Sequence, residues 1–345
     1  MIRVVGYYSK PVQTVHVHPV PGNHTASGTA LLNAMSGITN ASATKRYVIQ
    51  LEPGIYDLGS SKLIMKPYID IKGAGQEATM IQGGGFSSSD DGVVWGAASA
   101  EVSNLQIKST GGSTQSSVAF YSPSEAGATW LHNVTFVTSG GSGNWGVRAA
   151  GGSPVIEECT IRVQGGAYSY GIVGRGTSRP AVKRTVIEVV SGTSEGYGML
   201  FVTGSAPVEA RDIQIRLTGA GSSAYGIYID EGLYQYITRI TNSTVDVGGA
   251  TTTRGIRFNG LQLNVEQSQV RATGSNSIGV DTTLGETVID HSEITGALST
   301  VNSAALGDTR IGASRLDGGA VVAGSPICAG VYDESFTFYA GPACP

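Results

Sequence analysis

The sequence is poor in charged residues and contains no long apolar run. Asp, Glu, Lys and Arg make up 14% of the 345 residues, against about a quarter in an average globular protein. The formal net charge is −4, which argues against nucleic acid and against an anionic membrane surface as partners. No apolar stretch approaches the roughly 18–20 residues of a membrane span. The sequence therefore predicts neither a membrane span nor a nucleic-acid partner.

Signal-peptide features and cysteines are also scarce. The first six residues lack the long apolar core of a signal peptide, so we expect either earlier trimming or export by another route, as for parts of a virion. Cysteine occurs three times. Cys159 lies in a strand-like stretch, where we expect a buried apolar role. A disulfide between Cys328 and Cys344 would close a short C-terminal loop and would imply an oxidising compartment.

Glycine is abundant instead, with 50 residues, and it recurs in a fixed context. A glycine followed by an aliphatic residue returns after 25, 27, 28, 29 and 24 residues. These glycines are Gly146, Gly171, Gly198, Gly226, Gly255 and Gly279. A second apolar position recurs in phase with them: Ile107, Phe136, Ile161, Ile187, Ile215, Val245, Val270, Ile294 and Leu316. Self-similarity at periods of roughly 20–50 residues indicates a repeat architecture.

Each repeat contains three short strand-like pieces and no helix, which predicts an all-β, single-stranded, right-handed parallel β-helix. We expect about nine or ten coils, each pairing with its neighbours and burying its apolar face by stacking. A solenoid of another handedness is the alternative, and propeller blades of roughly 40 residues are too long for this period. Helical spacing predicts one capping helix from Thr25 to about Ile38, with Thr25 or Ser27 as its N-cap. The expected division is an N-terminal extension and capping helix (1–45), the β-helix (46–316) and a C-terminal cap (317–345).

Two segments near the N-terminus carry a family resemblance. Residues 47–56, YVIQLEPGIY, and residues 69–81, IDIKGAGQEATMI, follow a helix and resemble the start of pectin-lyase-like β-helix proteins, pectinesterases in particular. The later repeats and the tail from Arg315 to Cys344 resemble bacterial surface proteins and phage tailspikes. The resemblance implies the fold, but this fold hosts lyases, hydrolases, esterases and inert adhesins alike.

The catalytic motifs of the enzyme branches are not found. Gln-Asp-Thr-Leu and Gly-Arg-Pro-Trp of pectinesterases are absent, as is the polygalacturonase set. Asp290-His291 comes near a pectate-lyase motif, but it occupies the slot that holds Glu157-Glu158 and Lys183-Arg184 in other repeats, so an ordinary turn is favoured. Asp90-Asp91 lies in a Ser/Gly-rich loop and is expected to be a solvated turn. No metal site and no cofactor is predicted.

Alternation around the repeat glycine predicts two surface columns. Four aromatic residues precede the glycine in successive repeats: Trp145, Tyr170, Tyr197 and Tyr225. Polar residues after the glycine form the second set: Arg148, Arg175, Tyr228, Asp230, Arg257, Asn259 and Asp281. Aromatic faces can carry sugar rings, and arginine binds carboxylates with paired hydrogen bonds. The alternatives are an aromatic ladder that stabilises neighbouring coils and a solvated charged surface.

A third column, on the second apolar strand, has mostly alternating charge and predicts a surface ion-pair ladder of small energetic weight. It comprises Lys108, Arg162, Glu188, Arg216, Asp246 and Arg271.

The leading hypothesis is an extracellular, cell-surface or virion scaffold or adhesin with a glycan-binding face, in which polysaccharide is the partner. The alternative is a polysaccharide lyase or glycoside hydrolase acting on an acidic polysaccharide, with Asp230, Asp281 and Arg257 as weak catalytic candidates. The two aspartates should lie about 10 Å apart by rung spacing, whereas glycoside hydrolysis needs carboxylates at about 5–9 Å. A trimer or an end-to-end assembly is a further option for such a fold.

Overall fold

The computed structural model describes residues 12–112, 114–202, 208–219, 221–230, 236–303 and 308–345. Over these ranges the chain forms a parallel β-helix of about ten turns with one N-terminal α-helix, which confirms the predicted fold class. Each turn contributes strands to three parallel sheets, named here A, B and C. Along the chain a strand of sheet A is followed by one of sheet C and then by one of sheet B. Strands pair with their equivalents one turn before and one turn after.

The strands are divided among the sheets as follows. Sheet A contains Leu63–Ile64, Val94–Trp95, Ser116–Pro123, Gly143–Ala150, Tyr168–Arg175, Glu195–Val202, Ser223–Asp230 and Ser299–Ser303. Sheet C contains Gln13–Val17, Tyr47–Leu51, Ile69–Lys72, Val155–Glu157, Ala181–Lys183, Glu209–Arg211, Ile237–Thr241, Thr309–Gly312 and Pro326–Ala329. Sheet B contains Gly54–Asp57, Thr79–Gly84, Thr160–Gln164, Val186–Ser191, Gln214–Gly219, Thr244–Gly248, Gln269–Ala272, Glu293–Gly296, Arg315–Gly318 and Val331–Tyr332.

Four longer strands bend around a corner and belong to two sheets. Ala100–Thr110 and Thr129–Ser139 pass from sheet C to sheet B, whereas Thr252–Glu266 and Ser277–Asp290 pass from sheet A to sheet C. The short strand Phe338–Tyr339 pairs antiparallel with Val331–Tyr332.

Packing between sheets A and B explains the repeat glycines. A Cβ atom at Gly171 would lie 2.4 Å from Cγ2 of Ile187 and 2.4 Å from the carbonyl oxygen of Gly198, the next repeat glycine. The same steric conflict joins five further pairs: Gly146 with Ile161, Gly198 with Ile215, Gly226 with Val245, Gly255 with Val270, and Gly279 with Ile294. The two periodic positions of the sequence therefore depend on each other: the residue on sheet A must be glycine because the β-branched side chain of sheet B fills the space that a Cβ would need.

A single residue with positive φ forms each sharp corner between sheets C and B. Its φ lies between 42° and 56° in nine coils: Asn104, Asn133, Glu158, Arg184, Asp212, Asn242, Gln267, His291 and Ala313. Such left-handed backbone is uncommon outside glycine and is tolerated best by Asn and Asp. His291 holds this slot, as predicted, so the Asp290-His291 pair belongs to a corner of the repeat.

A row of hydroxyl groups lines the inside of these corners. The residue after the corner is Thr185, Ser243, Ser268, Ser292 or Ser314 in five coils. Each hydroxyl donates to the carbonyl two residues earlier. It also accepts a backbone N–H from the preceding coil at 3.1–3.4 Å. This pattern satisfies backbone donors that the sharp corner would otherwise leave buried and unpaired.

The N-terminal helix, α1 (His24–Gly37), begins one residue earlier than predicted and ends at Gly37. Its N-cap is Asn23, whose side chain accepts from the backbone of Ala26 at 3.0 Å, so the predicted caps were wrong. Ser27 instead accepts from the backbone of Val20 at 2.8 Å. The helix buries Leu31 and Met35 against the first coil.

The solenoid continues past Leu316. Pro326–Ala329 adds a rung to sheet C and Val331–Tyr332 adds one to sheet B. The Cys328–Cys344 disulfide is formed, as predicted, and ties the end of the chain to this last turn. Cys159 is free and buried, also as predicted, and burial raises the pKa of its thiol to about 12. Among the described residues, no helix has the length and apolar character needed to cross a membrane.

Candidate functional site

The four aromatic residues before the repeat glycine stack on the outer face of sheet A. Neighbouring ring centroids lie 5.0–5.4 Å apart and their planes are within 12° of parallel. In the strand register Trp145 pairs with Tyr170, Tyr170 with Tyr197, and Tyr197 with Tyr225. Because each ring covers the face of its neighbour, the stack presents ring edges to solvent, and sugar rings cannot lie flat on its middle members. The column acts first as a ladder between coils.

The phenol groups of this stack are partly withdrawn from water. Val173 and Leu200 on the same outer face are buried beside them and form a small apolar cluster separate from the main core. Burial raises the pKa of Tyr170 to about 12. It also raises the pKa of Tyr197, whose hydroxyl donates to Glu195 at 3.0 Å.

An alkaline titration should reveal this stack. Since the pKa of Tyr170 is raised above the unfolded value of about 10, the folded state holds its proton more tightly. Its contribution to stability is fully present below pH 10 and is lost as the pH rises towards 12. We expect phenolate absorbance from the exposed tyrosines first, and the signal from Tyr170 and Tyr197 only with unfolding. Phenolate formation by all tyrosines near pH 10, with the fold intact, would contradict the stack.

The N-terminal end of this face is covered by a loop. Arg148, an expected ligand-binding residue, is only 4% exposed and is ion-paired with Asp90. Asp91 accepts from Nε1 of Trp95 at 2.9 Å and lies 3.2 Å from Nζ of Lys62. Asp90 lies in a turn and its side chain is 60% exposed, in line with the solvated turn that was expected, but both aspartates also bind groups outside the loop. Arg148 is engaged within the protein.

Polar groups gather at the other end of the face. The Arg257 guanidinium lies 5.5 Å from the centre of the Tyr228 ring. In the next column Asn259 donates to Asp230 at 2.9 Å. Strand register places Tyr228, Arg257 and Asp281 on three successive coils. We name this cluster the A-face site, comprising Tyr228, Asp230, Arg257 and Asn259.

Asp281 is committed to structural contacts. Nε of Arg254 donates to one carboxylate oxygen at 3.0 Å, and the Asn302 amide donates to the other at 2.7 Å. The side chains of Asp281 and Arg254 are 8% and 12% exposed. Arg254 occupies the position of the aromatic column in the coil after Tyr225, but the sequence did not identify it as the partner of Asp281. No sequence pattern pointed to Asn302. With both oxygens occupied, Asp281 is a poor general base.

Arg175 and Arg257 remain as cations on sheet A. Neither forms an ion pair with a described residue; Arg175 is exposed and Arg257 is half-buried. No cluster of three or more metal-binding side chains occurs within the described ranges. These arginines, the Tyr228 hydroxyl and the Asn259 amide offer hydrogen-bond donors suited to carboxylate and hydroxyl groups.

The predicted charge column lies in register on sheet B. From Arg162 to Arg271 its successive members pair strand to strand, whereas Val137 lies between Lys108 and Arg162. Of these six described residues, one neighbouring pair forms an ion pair, with Nε of Arg162 at 3.0 Å from Glu188. The column is exposed and its ion pairs contribute little to stability.

Comparison with known proteins supports the fold and leaves the function open. No protein-family model and no curated protein sequence matches the chain. The A-module of mannuronan C-5 epimerase AlgE6 from Azotobacter vinelandii is similar, with TM-score 0.52 and 14% identity over 89% of this chain and 95% of that one. ORF18 of Geobacillus virus E2 has TM-score 0.33 and 13% identity over 92% and 60%. Pectin methylesterase PemA from Erwinia chrysanthemi has TM-score 0.34 and 12% identity over 85% and 80%. The likeness to the AlgE6 A-module shows that the two chains share the parallel β-helix fold.

Proposed function

We propose that this protein is an extracellular or virion-surface scaffold whose sheet A binds an acidic polysaccharide. The observation that carries the proposal is the pair of arginines, Arg175 and Arg257, that lie on one sheet face without a carboxylate partner among the described residues. Arginine without a carboxylate partner among the described residues, beside tyrosine and amide groups, suits a ligand that carries carboxylates and hydroxyls.

The coil spacing suits an extended chain. Arg175 and Arg257 lie three coils apart, which is about 14 Å at the spacing of paired strands. A polysaccharide lying parallel to the solenoid axis would meet equivalent positions at each rung. Trp145, Tyr170, Tyr197 and Tyr225 would line one side of its path with ring edges, and Tyr228, Asp230 and Asn259 would donate to or accept from sugar hydroxyls. Arg148 is not part of this binding surface, because it is already ion-paired with Asp90.

Binding without bond cleavage is the form of the proposal that the geometry favours. Asp230 and Asp281 are each hydrogen-bonded within the protein, and a lyase or hydrolase needs an available base or acid at the reacting bond. The disulfide fits an oxidising compartment outside the cytosol. The fold itself does not favour either function, since it supports enzymes and scaffolds alike.

The Arg257→Ala variant should weaken binding of polygalacturonate and alginate by about tenfold, the loss of one charge-assisted contact. Isothermal titration at low and moderate salt measures this, and the affinity should fall as salt rises. Arg216→Ala, which removes an exposed arginine of sheet B, is the matched control and should bind normally.

Equal affinity in the two variants would contradict a site on sheet A. In parallel, the wild-type protein incubated with both polymers should release neither reducing ends nor unsaturated products. Their appearance would favour the enzyme and would identify it as a hydrolase or a lyase.

A further inference from the structure

A second groove lies on the opposite side of the solenoid, along the corner between sheets C and B. It is a shallow, open groove of about 870 Å³ that crosses four coils. Corner residues and the first residues of the sheet B strands form its walls, and Tyr332 and Phe336 from the C-terminal turn close one end. Ser243, Ser268 and Ser292 also line it. None of these residues belongs to the A-face site.

The corner side chains differ in their side-chain contacts. In an earlier coil Arg184 pairs with Glu157 and Glu158, and at the first coil of the groove the Asn242 amide donates to Asp212. Further along, the Gln267 amide makes no side-chain hydrogen bond with a described residue. Within the groove His291 also has a partner, with its Nδ1 2.8 Å from Asp290, whereas the Gln267 amide keeps its donor and acceptor capacity for a ligand.

Arg315 also retains donor capacity in the groove. Its Nε is buried and has no hydrogen-bond partner within the described ranges. Its terminal nitrogens lie 3.8 Å from Glu293 and 3.5 Å from Asp317, which are long distances for hydrogen bonds. A native protein seldom leaves such a donor unpaired without a reason. A ligand oxygen in the groove would complete its partners after a small side-chain movement.

An aromatic platform stands beside Arg315. Phe336 is 69% exposed, and the guanidinium of Arg315 covers its ring at 5.0 Å from the centroid. The turn that carries the ring is held by Asp333, whose carboxylate accepts from the backbone of Ser335 and Thr337 at 2.9 and 2.8 Å. A large apolar ring fixed in solvent beside polar groups is typical of a recognition surface.

The chemistry of the groove selects the ligand class. Its charges balance, since Glu293 and Arg315 have opposite signs and the remaining polar groups are amides, hydroxyls and His291. The strands on both sides are paired to their neighbours coil by coil, so an extended peptide has no free edge to join. Planar amides and an exposed aromatic ring are suited to sugar hydroxyls and to the apolar face of a sugar ring.

We propose that this corner groove is a second carbohydrate site and binds a neutral oligosaccharide, with Phe336 as the stacking platform and Gln267 and Arg315 as hydrogen-bonding residues. The sugar chain runs along the solenoid axis and meets one corner residue per coil. The protein then carries two carbohydrate sites of different charge preference on two faces. This site does not depend on the function proposed for sheet A.

The test titrates the full chain with cellohexaose, xylohexaose and laminarihexaose, with saturation-transfer NMR to locate the sugar contacts. At least one of these should bind saturably, and Phe336→Ala and Gln267→Ala should each weaken it by at least about tenfold. Gln164→Ala, which removes an exposed glutamine of sheet B outside the groove, should bind normally. Gln267→Ala should fold, because Ala313 already occupies the equivalent corner with φ 42°.

Three results would overturn the proposal: no saturable binding of any of the three sugars, unchanged binding by both groove variants, or tighter binding of hexagalacturonate at this groove. Arg257→Ala is expected to leave the binding of neutral sugars unchanged. The two sites can therefore fail independently.

Discussion

A Gly198→Ala variant should be destabilised by about 3 kcal/mol, at the upper end of the cost of overpacking a core. The added Cβ would lie 2.5 Å from the carbonyl oxygen of Gly226 and 2.5 Å from Cγ2 of Ile215. Neither neighbour can move freely, because one is backbone paired between coils and the other is a fully buried β-branched side chain. Thermal melting and amide hydrogen exchange of the flanking strands measure the loss, since a long solenoid need not unfold in one step.

The control is Gly37→Ala at the end of α1. Nothing lies within 4 Å of a Cβ at Gly37, and its φ is not positive. Alanine there should be neutral or stabilise by less than about 1 kcal/mol. Ile215→Ala removes one of the two atoms that the new Cβ would meet. The double variant Gly198→Ala/Ile215→Ala should therefore lose less stability than the sum of the losses of the two single variants. If Gly198→Ala melts at the wild-type temperature, the prediction is contradicted, because the neighbouring coils must then move apart at little cost to make room for the Cβ.

Much of the fold followed from the sequence because the constraint recurs. Gly198 and Ile215 are 17 residues apart in the chain, but a glycine facing a β-branched residue returns in six successive coils, so periodicity alone reveals the steric rule. The aromatic column could be predicted for the same reason, since Tyr170, Tyr197 and Tyr225 keep a constant offset from the repeat glycine. The cap of α1 was missed because Asn23 and Thr25 are both good caps, and packing against the first coil decides between them.

The contacts of individual charges did not follow from the sequence. Arg148 and Asp90 are 58 residues apart, and the loop that joins them occurs once, so no period points to it. Arg254 and Asp281 belong to adjacent columns on successive coils, and a column pattern predicts neighbours along a column rather than across it. The corner groove escaped notice because its free groups are ordinary polar residues whose significance depends on the pairing of other corners.

Asp281→Ala should cost about 3 kcal/mol of stability, because it leaves the guanidinium of Arg254 buried without its partner. Arg254 is 12% exposed and donates at 3.0 Å to Asp281, so water cannot easily replace the carboxylate. Arg254→Ala should cost a similar amount for the reciprocal reason. Removing both should cost less than the sum, because no uncompensated charge remains. Melting temperature and urea unfolding of the four proteins give this cycle.

The exposed pair of sheet B supplies the comparison. Arg162 and Glu188 also meet at 3.0 Å, but their side chains are 53% and 47% exposed, so Glu188→Ala should cost at most about 1 kcal/mol.

The stability of Asp281→Ala also tests the enzyme alternative. A catalytic Asp281 would lose turnover on acidic polysaccharides with little loss of stability, since catalytic groups are seldom the ones that hold the fold. A large drop in melting temperature for Asp281→Ala, together with wild-type affinity of the folded fraction for polygalacturonate, would place this carboxylate in the framework that supports the A-face site.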